Sequence, residues 1–148
     1  MKNSVVQMAF IVAALVAAGA LEDMLPHFGG LGFPVLLGAA VFFAVAAGTP
    51  AWVLAALAAG ALEEALSAQP AATAVVFFAA LALAARFLRE PLVWILVAYP
   101  AYQVWLALVS DASGAFGRLL LSFPVGALAT ALTFAVLSRL WRKAGADA

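Results

Sequence analysis

The chain has 148 residues, of which 68% are hydrophobic and only 9% are charged, with seven basic and seven acidic side chains. Soluble domains carry about 45–50% apolar and about 25% charged residues, so this composition excludes an ordinary soluble domain and indicates a membrane protein. The absence of cysteine excludes disulfides, iron–sulfur clusters and thiol catalysis.

Apolar runs long enough to cross a bilayer recur along the chain, since about 20 apolar residues span the hydrocarbon layer. The run at 34–62 is too long for one helix. It contains Gly48, Thr49 and Pro50, a turn signal whose proline favours a helix start just after it. Division of the run at this turn predicts six spans in all, at about 4–21, 33–47, 51–67, 70–87, 91–109 and 117–138.

The character of these runs favours helices over strands. They are apolar throughout, whereas the strands of a membrane barrel alternate apolar and polar residues. Only a helix satisfies every backbone group within one segment. The sequence therefore predicts an all-α membrane protein, a six-transmembrane-helix bundle that forms a single integral membrane domain over residues 1–148.

The first span has one alternative interpretation, a cleavable secretory signal. Lys2 precedes an apolar run that reaches the small residues Ala18, Gly19 and Ala20. The apolar core of a signal has about 7–15 residues, and this run is longer. The length favours a first helix that is retained.

The basic residues are divided unevenly between the predicted ends of the spans. Arg118 falls on one side of the membrane, and six others fall on the opposite side: Lys2, Arg86, Arg89, Arg139, Arg142 and Lys143. Because positively charged ends face the cytoplasm, both termini are predicted to be cytoplasmic. Most acidic residues then lie at the outer ends, namely Glu22, Asp23, Glu63, Glu64 and Asp111.

Few residues could carry catalytic or metal chemistry. His27 is the only histidine, and its sequence neighbours Glu22 and Asp23 are the only acids close to it. One histidine without cysteine makes no convincing zinc or haem site. No serine has a histidine base near it in the sequence, as nucleophilic catalysis requires. We therefore predict no catalytic, metal-binding or cofactor-binding residues, and we expect no nucleic-acid partner.

Two prolines mark the place where a polar cavity is conceivable inside the bundle. Pro100 and Pro124 each remove a backbone hydrogen bond and favour a kink in the fifth and sixth spans. Tyr99, Gln103 and Ser122 lie beside them and are the candidates to line such a cavity. In the alternative interpretation the kinks only curve the bundle, and the polar side chains bond between helices.

Two adjacent acids, Glu63 and Glu64, lie near the end of the third predicted span. They differ by about 100° around a helix and cannot share a face, whereas Gly60, Glu64 and Ser67 can. Acids at a helix C-terminus oppose the helix macrodipole unless another group pairs with them. An ordinary solvated helix end and a binding role are both open at this point.

The order Gly60, Leu62, Glu64, Leu66, Ser67 and Pro70 resembles the Gly-x-Leu-x-Asp-x-Leu-Ser-x-x-Pro signature of the MreD family of rod shape-determining membrane proteins. Those proteins are small and almost wholly intramembrane, with both termini inside. This chain departs from the family pattern at Glu64, where the family usually has Asp. It also has Ala68 and Ala72 where glycines are common around the proline.

The resemblance implies a non-catalytic scaffold of the bacterial cell-shape and elongation machinery, in the inner (cytoplasmic) membrane and in contact with its lipid. The implied partners are an MreC-type protein and, through it, a RodA-type glycosyltransferase and its transpeptidase. The implied partner-binding end comprises Gly60, Glu63, Glu64, Ser67 and Pro70, with Glu64 as a polar contact. No enzymatic activity and no cofactor are implied.

Size and helix number suit a second class equally well, the substrate-binding S-component-like subunit of an energy-coupling-factor vitamin transporter. Such a subunit needs several polar groups that converge on one pocket. The predicted spans contain few polar residues, so the sequence favours the scaffold over the transporter subunit.

Overall fold

The structure, a computed structural model, describes residues 2–26, 32–67, 69–110 and 115–146. The helices in this part of the chain are α1 Lys2–Met24, α2 Val35–Ala46, α3 Ala51–Ser67, α4 Thr73–Phe87, α5 Pro91–Ser110 and α6 Ala115–Lys143. Each predicted segment corresponds to one of these six helices, and no strand occurs within the described ranges. The all-helical class is therefore confirmed.

The lengths of the helices do not support six spans. Three helical segments are long and apolar enough to cross a membrane, Ser4–Met24, Pro91–Val109 and Gly117–Lys143. The apolar helices α2 and α4 have 12 and 15 residues. They are therefore about 18 and about 23 Å long, against about 30 Å for the hydrocarbon layer. The three long helices indicate a membrane protein, and the shorter ones need another explanation for their apolar sequences.

For α2, that explanation is burial inside the protein. This helix contacts all five others, and every residue from Leu36 to Ala44 is buried. Its sequence, VLLGAAVFFAVA, is apolar on all sides, as expected for a helix surrounded by protein. An apolar run predicts a helix away from water, but the run alone does not distinguish a lipid environment from a protein one.

The other helices surround α2 in the order α1, α3, α4, α5 and α6, because each one contacts the next. Between α6 and α1 the bundle leaves an apolar groove of about 440 Å³. Alanine, leucine and valine side chains from α1, α2 and α6 form most of the groove's lining.

Charged side chains from neighbouring helices bond to both ends of α2. At its N-terminus, Glu22 Oε2 accepts the N–H of Leu36 at 2.8 Å. At its C-terminus, Arg86 Nη1 donates to the carbonyl oxygens of Ala44 and Ala47, at 3.3 and 2.9 Å. The first N–H groups and the last carbonyl groups of a helix have no partner within it. The macrodipole favours an acid near the start of a helix and a base near its end. The bond from Leu36 also fixes the position of Glu22 within the bundle.

An aromatic cluster packs the N-terminal half of α1 against the C-terminal end of α6. Trp141 is buried and packs edge to face on Phe10 and Phe42, with ring centroids 5.3 and 6.0 Å apart. Nearby, Gln7 Nε2 donates to the carbonyl oxygen of Ala146 at 2.8 Å. The end of the bundle that contains Glu22, Glu63 and Glu64 is thus far from this cluster.

Candidate functional site

The stretch that carries the family resemblance forms the end of α3 and the turn into α4. At Gly60 the two helices meet so closely that an added Cβ would lie 2.7 Å from the Cα of Val75. Real Cβ atoms essentially never approach backbone this closely, so this contact requires glycine. We refer to residues 60–75 as the α3–α4 turn region.

Glu64 connects the two helices of the α3–α4 turn region. Its two carboxylate oxygens accept the N–H groups of Ala72 and Val75, at 3.1 and 3.0 Å. Ala72 is the N-cap residue of α4, and its own side chain makes no capping hydrogen bond. Glu64 therefore caps α4 from the preceding helix. The N-terminal dipole of α4 offsets the unfavourable position of this acid at the end of α3.

Ser67 and Pro70 complete the same turn. The hydroxyl of Ser67 donates to the carbonyl oxygen of Glu63. The carbonyl oxygen of Pro70 accepts the N–H of Thr73 at 3.2 Å. Trp105 of α5 then donates from Nε1 to the Thr73 carbonyl oxygen at 3.0 Å, which fixes the start of α4 against α5.

Glu63 points away from α4 and into the bundle. Its side chain is 8% exposed, and Oε1 accepts a hydrogen bond from the hydroxyl of Tyr102 at 3.2 Å. Glu22 of α1 lies close to this carboxyl group. The adjacent acids Glu63 and Glu64 therefore have different partners, as the 100° between neighbouring helical residues predicts.

A polar cavity of about 140 Å³ surrounds the contact between Glu22 and Glu63. Polar side chains from α1, α3, α5 and the connection between α3 and α4 converge on it, including Glu22, Glu63, Gln69, Tyr99, Tyr102 and Gln103. Polar side chains from three helices and one connection thus meet inside the bundle at this cavity.

Hydrogen bonds within the cavity wall hold these side chains in place. The hydroxyl of Tyr99 donates to the carbonyl oxygen of Gly32 at 2.7 Å, and the buried Gln103 lines the same wall. Gln69 Nε2 donates to the hydroxyl of Tyr102 at 2.7 Å. Gln69 Oε1, in contrast, is buried and has no hydrogen-bond partner.

The structure brings together only part of the predicted cavity. Tyr99 and Gln103 line it, but Ser122 does not, although Ser122 is fully buried. The Ser122 hydroxyl donates to the carbonyl oxygen of Leu119 in its own helix, at 2.6 Å. Pro100 and Pro124 both lie inside continuous helices.

Sequence reasoning missed Glu22, Gln69 and Tyr102 as cavity residues. The three-residue spacing of Tyr99 and Tyr102 places both on one helix face and could have identified Tyr102. No sequence signal joins Glu22 to Glu63, because they lie on different helices. His27 and Asp111 are outside the described residues.

No family model, curated protein or solved structure matches this chain. In the described ranges, no group of three His, Cys, Asp or Glu residues could hold a metal ion. The α3–α4 turn region and the polar cavity are the two candidate sites.

Proposed function

We propose that this protein is a non-catalytic membrane scaffold of MreD type in the bacterial cell-shape and elongation machinery. It would bind an MreC-type protein and, through it, a RodA-type glycosyltransferase and its transpeptidase, in support of lateral peptidoglycan synthesis. One observation carries the proposal. The signature residues Gly60, Glu64, Ser67 and Pro70 all act in the α3–α4 turn region, so the resemblance concerns one coherent structural unit.

The exposed part of the α3–α4 turn region is the surface that we assign to the partner. Ser67, Pro70 and Ala71 are exposed, and Leu66 is 42% exposed. The carboxylate of Glu64 is already bonded to the start of α4. In this proposal Glu64 shapes the turn from within the chain, and the exposed residues make the contact with the partner.

The proposed topology places both termini on the cytoplasmic side of the inner membrane. Arg86 of α4 and Arg142 and Lys143 of α6 lie in the last turns of their helices, remote from the α3–α4 turn region, whereas Arg118 lies near the start of α6. This excess of basic residues at one end supports the proposed orientation. Because the chain has no native cysteine, Ala71→Cys and Ala144→Cys report on the two sides separately. A membrane-impermeant maleimide should label Ala71→Cys in spheroplasts and Ala144→Cys only after permeabilisation. The reverse pattern would overturn the topology.

Depletion from a rod-shaped host tests the scaffold function. Cells that lose the protein should lose their constant width and become round or lyse, and re-expression of the wild-type chain should restore rods. Normal rods after complete depletion, verified by immunoblot, would contradict the proposal.

A second candidate function is supported by the polar cavity. Eight polar side chains line it, more than the sequence alone led us to expect, and an S-component-like subunit needs such convergence. The cavity volume of about 140 Å³ lies below the roughly 300–1,000 Å³ of pockets that hold drug-sized ligands, which places this function second. Native mass spectrometry of the purified protein would reveal a bound vitamin-sized molecule if the second candidate is correct.

A further inference from the structure

Two carboxyl groups from different helices meet in the polar cavity without a basic partner. Glu22 and Glu63 both line the cavity, and Asp23 lies in the same lining. No lysine or arginine lines the cavity among the described residues. Two neighbouring carboxylates in a poorly solvated site repel each other, so either a proton or a cation must offset their charge.

The hydrogen-bonding groups around these acids leave acceptors in excess. Each hydroxyl in the lining donates to the cavity wall: Tyr99 to Gly32, Tyr102 to Glu63, and Ser67 to the Glu63 carbonyl oxygen. Gln69 Oε1 is a buried acceptor that receives no hydrogen bond. A buried acceptor without a donor is unfavourable, so a ligand with N–H donors would complete the site.

The size of the cavity limits the ligand. Its volume of about 140 Å³ is close to the roughly 150 Å³ of a protein cavity that accepts benzene, a ligand of six heavy atoms. Leu37 and Leu66 also line the cavity and provide apolar surface beside the acids. A charged group with a short hydrocarbon portion matches both kinds of lining.

We propose that this cavity binds a small organic ammonium ion, with its N–H groups directed to Glu22, Glu63 and Gln69 and its carbon atoms against Leu37 and Leu66. The proposal does not depend on the scaffold function, because it is argued from the lining of the cavity alone. It also differs from a vitamin site in the size and the charge of the ligand.

Ethylammonium is the probe for this site. The full-length protein, purified in detergent, is titrated with ethylammonium chloride at constant ionic strength and followed by isothermal titration calorimetry. Ethanol serves as the neutral analogue of similar size. We expect saturable binding of ethylammonium to the wild-type protein and no binding of ethanol, because the acids select for positive charge.

Matched variants locate the binding. Glu63→Gln and Glu22→Gln should each weaken ethylammonium binding by about tenfold or more, because each removes one partner of a buried charge pair. Glu64→Gln makes the same chemical change one residue away, but its side chain bonds to α4 and does not line the cavity. It should bind ethylammonium as the wild-type protein does.

Three results would overturn the proposal. They are absence of saturable binding to the wild-type protein, unchanged binding to Glu63→Gln, and equal weakening by Glu64→Gln. Glu22 also bonds to the N-terminus of α2, so Glu22→Gln is interpreted only if it folds. The wild-type titration and Glu63→Gln decide the question in either case.

Discussion

Ala72 has a backbone conformation that favours glycine. Ala72 has φ 67°, in the left-handed region that glycine occupies without a steric cost. For a residue with a Cβ this conformation costs about 1–2 kcal/mol. Ala72 stands where the resemblance leads us to expect a glycine, and a glycine there would adopt this conformation without the cost. Ala68, the other such position, is outside the described residues.

Ala72→Gly should therefore stabilise the protein by about 1 kcal/mol, because it relieves the left-handed alanine. The neighbouring change Ala71→Gly should stabilise nothing, since Ala71 is exposed and does not have a positive φ. Unfolding of both variants in mixed detergent micelles, followed by far-UV circular dichroism, provides the comparison. Equal effects of the two changes would contradict the strain assigned to Ala72.

The hydrogen bonds of Glu64 lead to a second prediction at a single residue. Glu64→Ala removes two bonds to the start of α4 and should destabilise the fold by about 1–2 kcal/mol, as loss of a helix cap does. Glu64→Gln keeps one acceptor oxygen and should lose less stability. In the same unfolding assay, stability should decrease from the wild-type chain to Glu64→Gln and then to Glu64→Ala. Identical stability of all three chains would show that the cap contributes nothing.

At the level of whole helices, α2 depends on side chains from its neighbours. Its N-terminus bonds to Glu22 and its C-terminal carbonyl groups bond to Arg86. Neither end has a capping side chain from α2 itself. A 12-residue helix has little stability of its own in isolation, so the surrounding bundle has to hold it in place.

Arg86→Met should destabilise the protein by about 2 kcal/mol, because it removes charged hydrogen bonds from the end of α2. Arg89→Met is the matched control, since Arg89 is exposed and its one bond is to its own helix end. The control should change stability by less than about 0.5 kcal/mol. Both are measured by equilibrium unfolding, and a similar loss for the two variants would refute the capping role of Arg86.

These helices also show what the sequence can predict. Apolar runs and the Gly48-Thr49-Pro50 turn located all six helices, because hydrophobic length and turn chemistry are local properties. The burial of α2 could not be predicted, since lipid and protein interiors favour the same residues. The different partners of Glu63 and Glu64 follow from helix geometry. The meeting of Glu22 with Glu63 does not, because it depends on how α1 packs against α3.

For the whole molecule, the two ends of the bundle differ in character. One end has the aromatic cluster around Trp141 and the basic ends of α4 and α6. The other end has the polar cavity and the exposed α3–α4 turn region. A scaffold with a cytoplasmic basic end would present the turn region to partners on the outer side. Glu22 and Glu63 of the polar cavity lie inside the bundle, beneath the exposed turn region.

Affinity purification of the tagged protein from its host in a mild detergent tests the scaffold function most directly. The wild-type chain is compared with Ala71→Arg, in the exposed turn, and with Ala144→Arg, at the exposed opposite end. We predict that an MreC-type protein co-purifies with the wild-type chain and with Ala144→Arg. The Ala71→Arg variant should recover severalfold less of this MreC-type protein. Purification without an MreC-type partner, or with an ATPase complex in its place, would contradict the scaffold function.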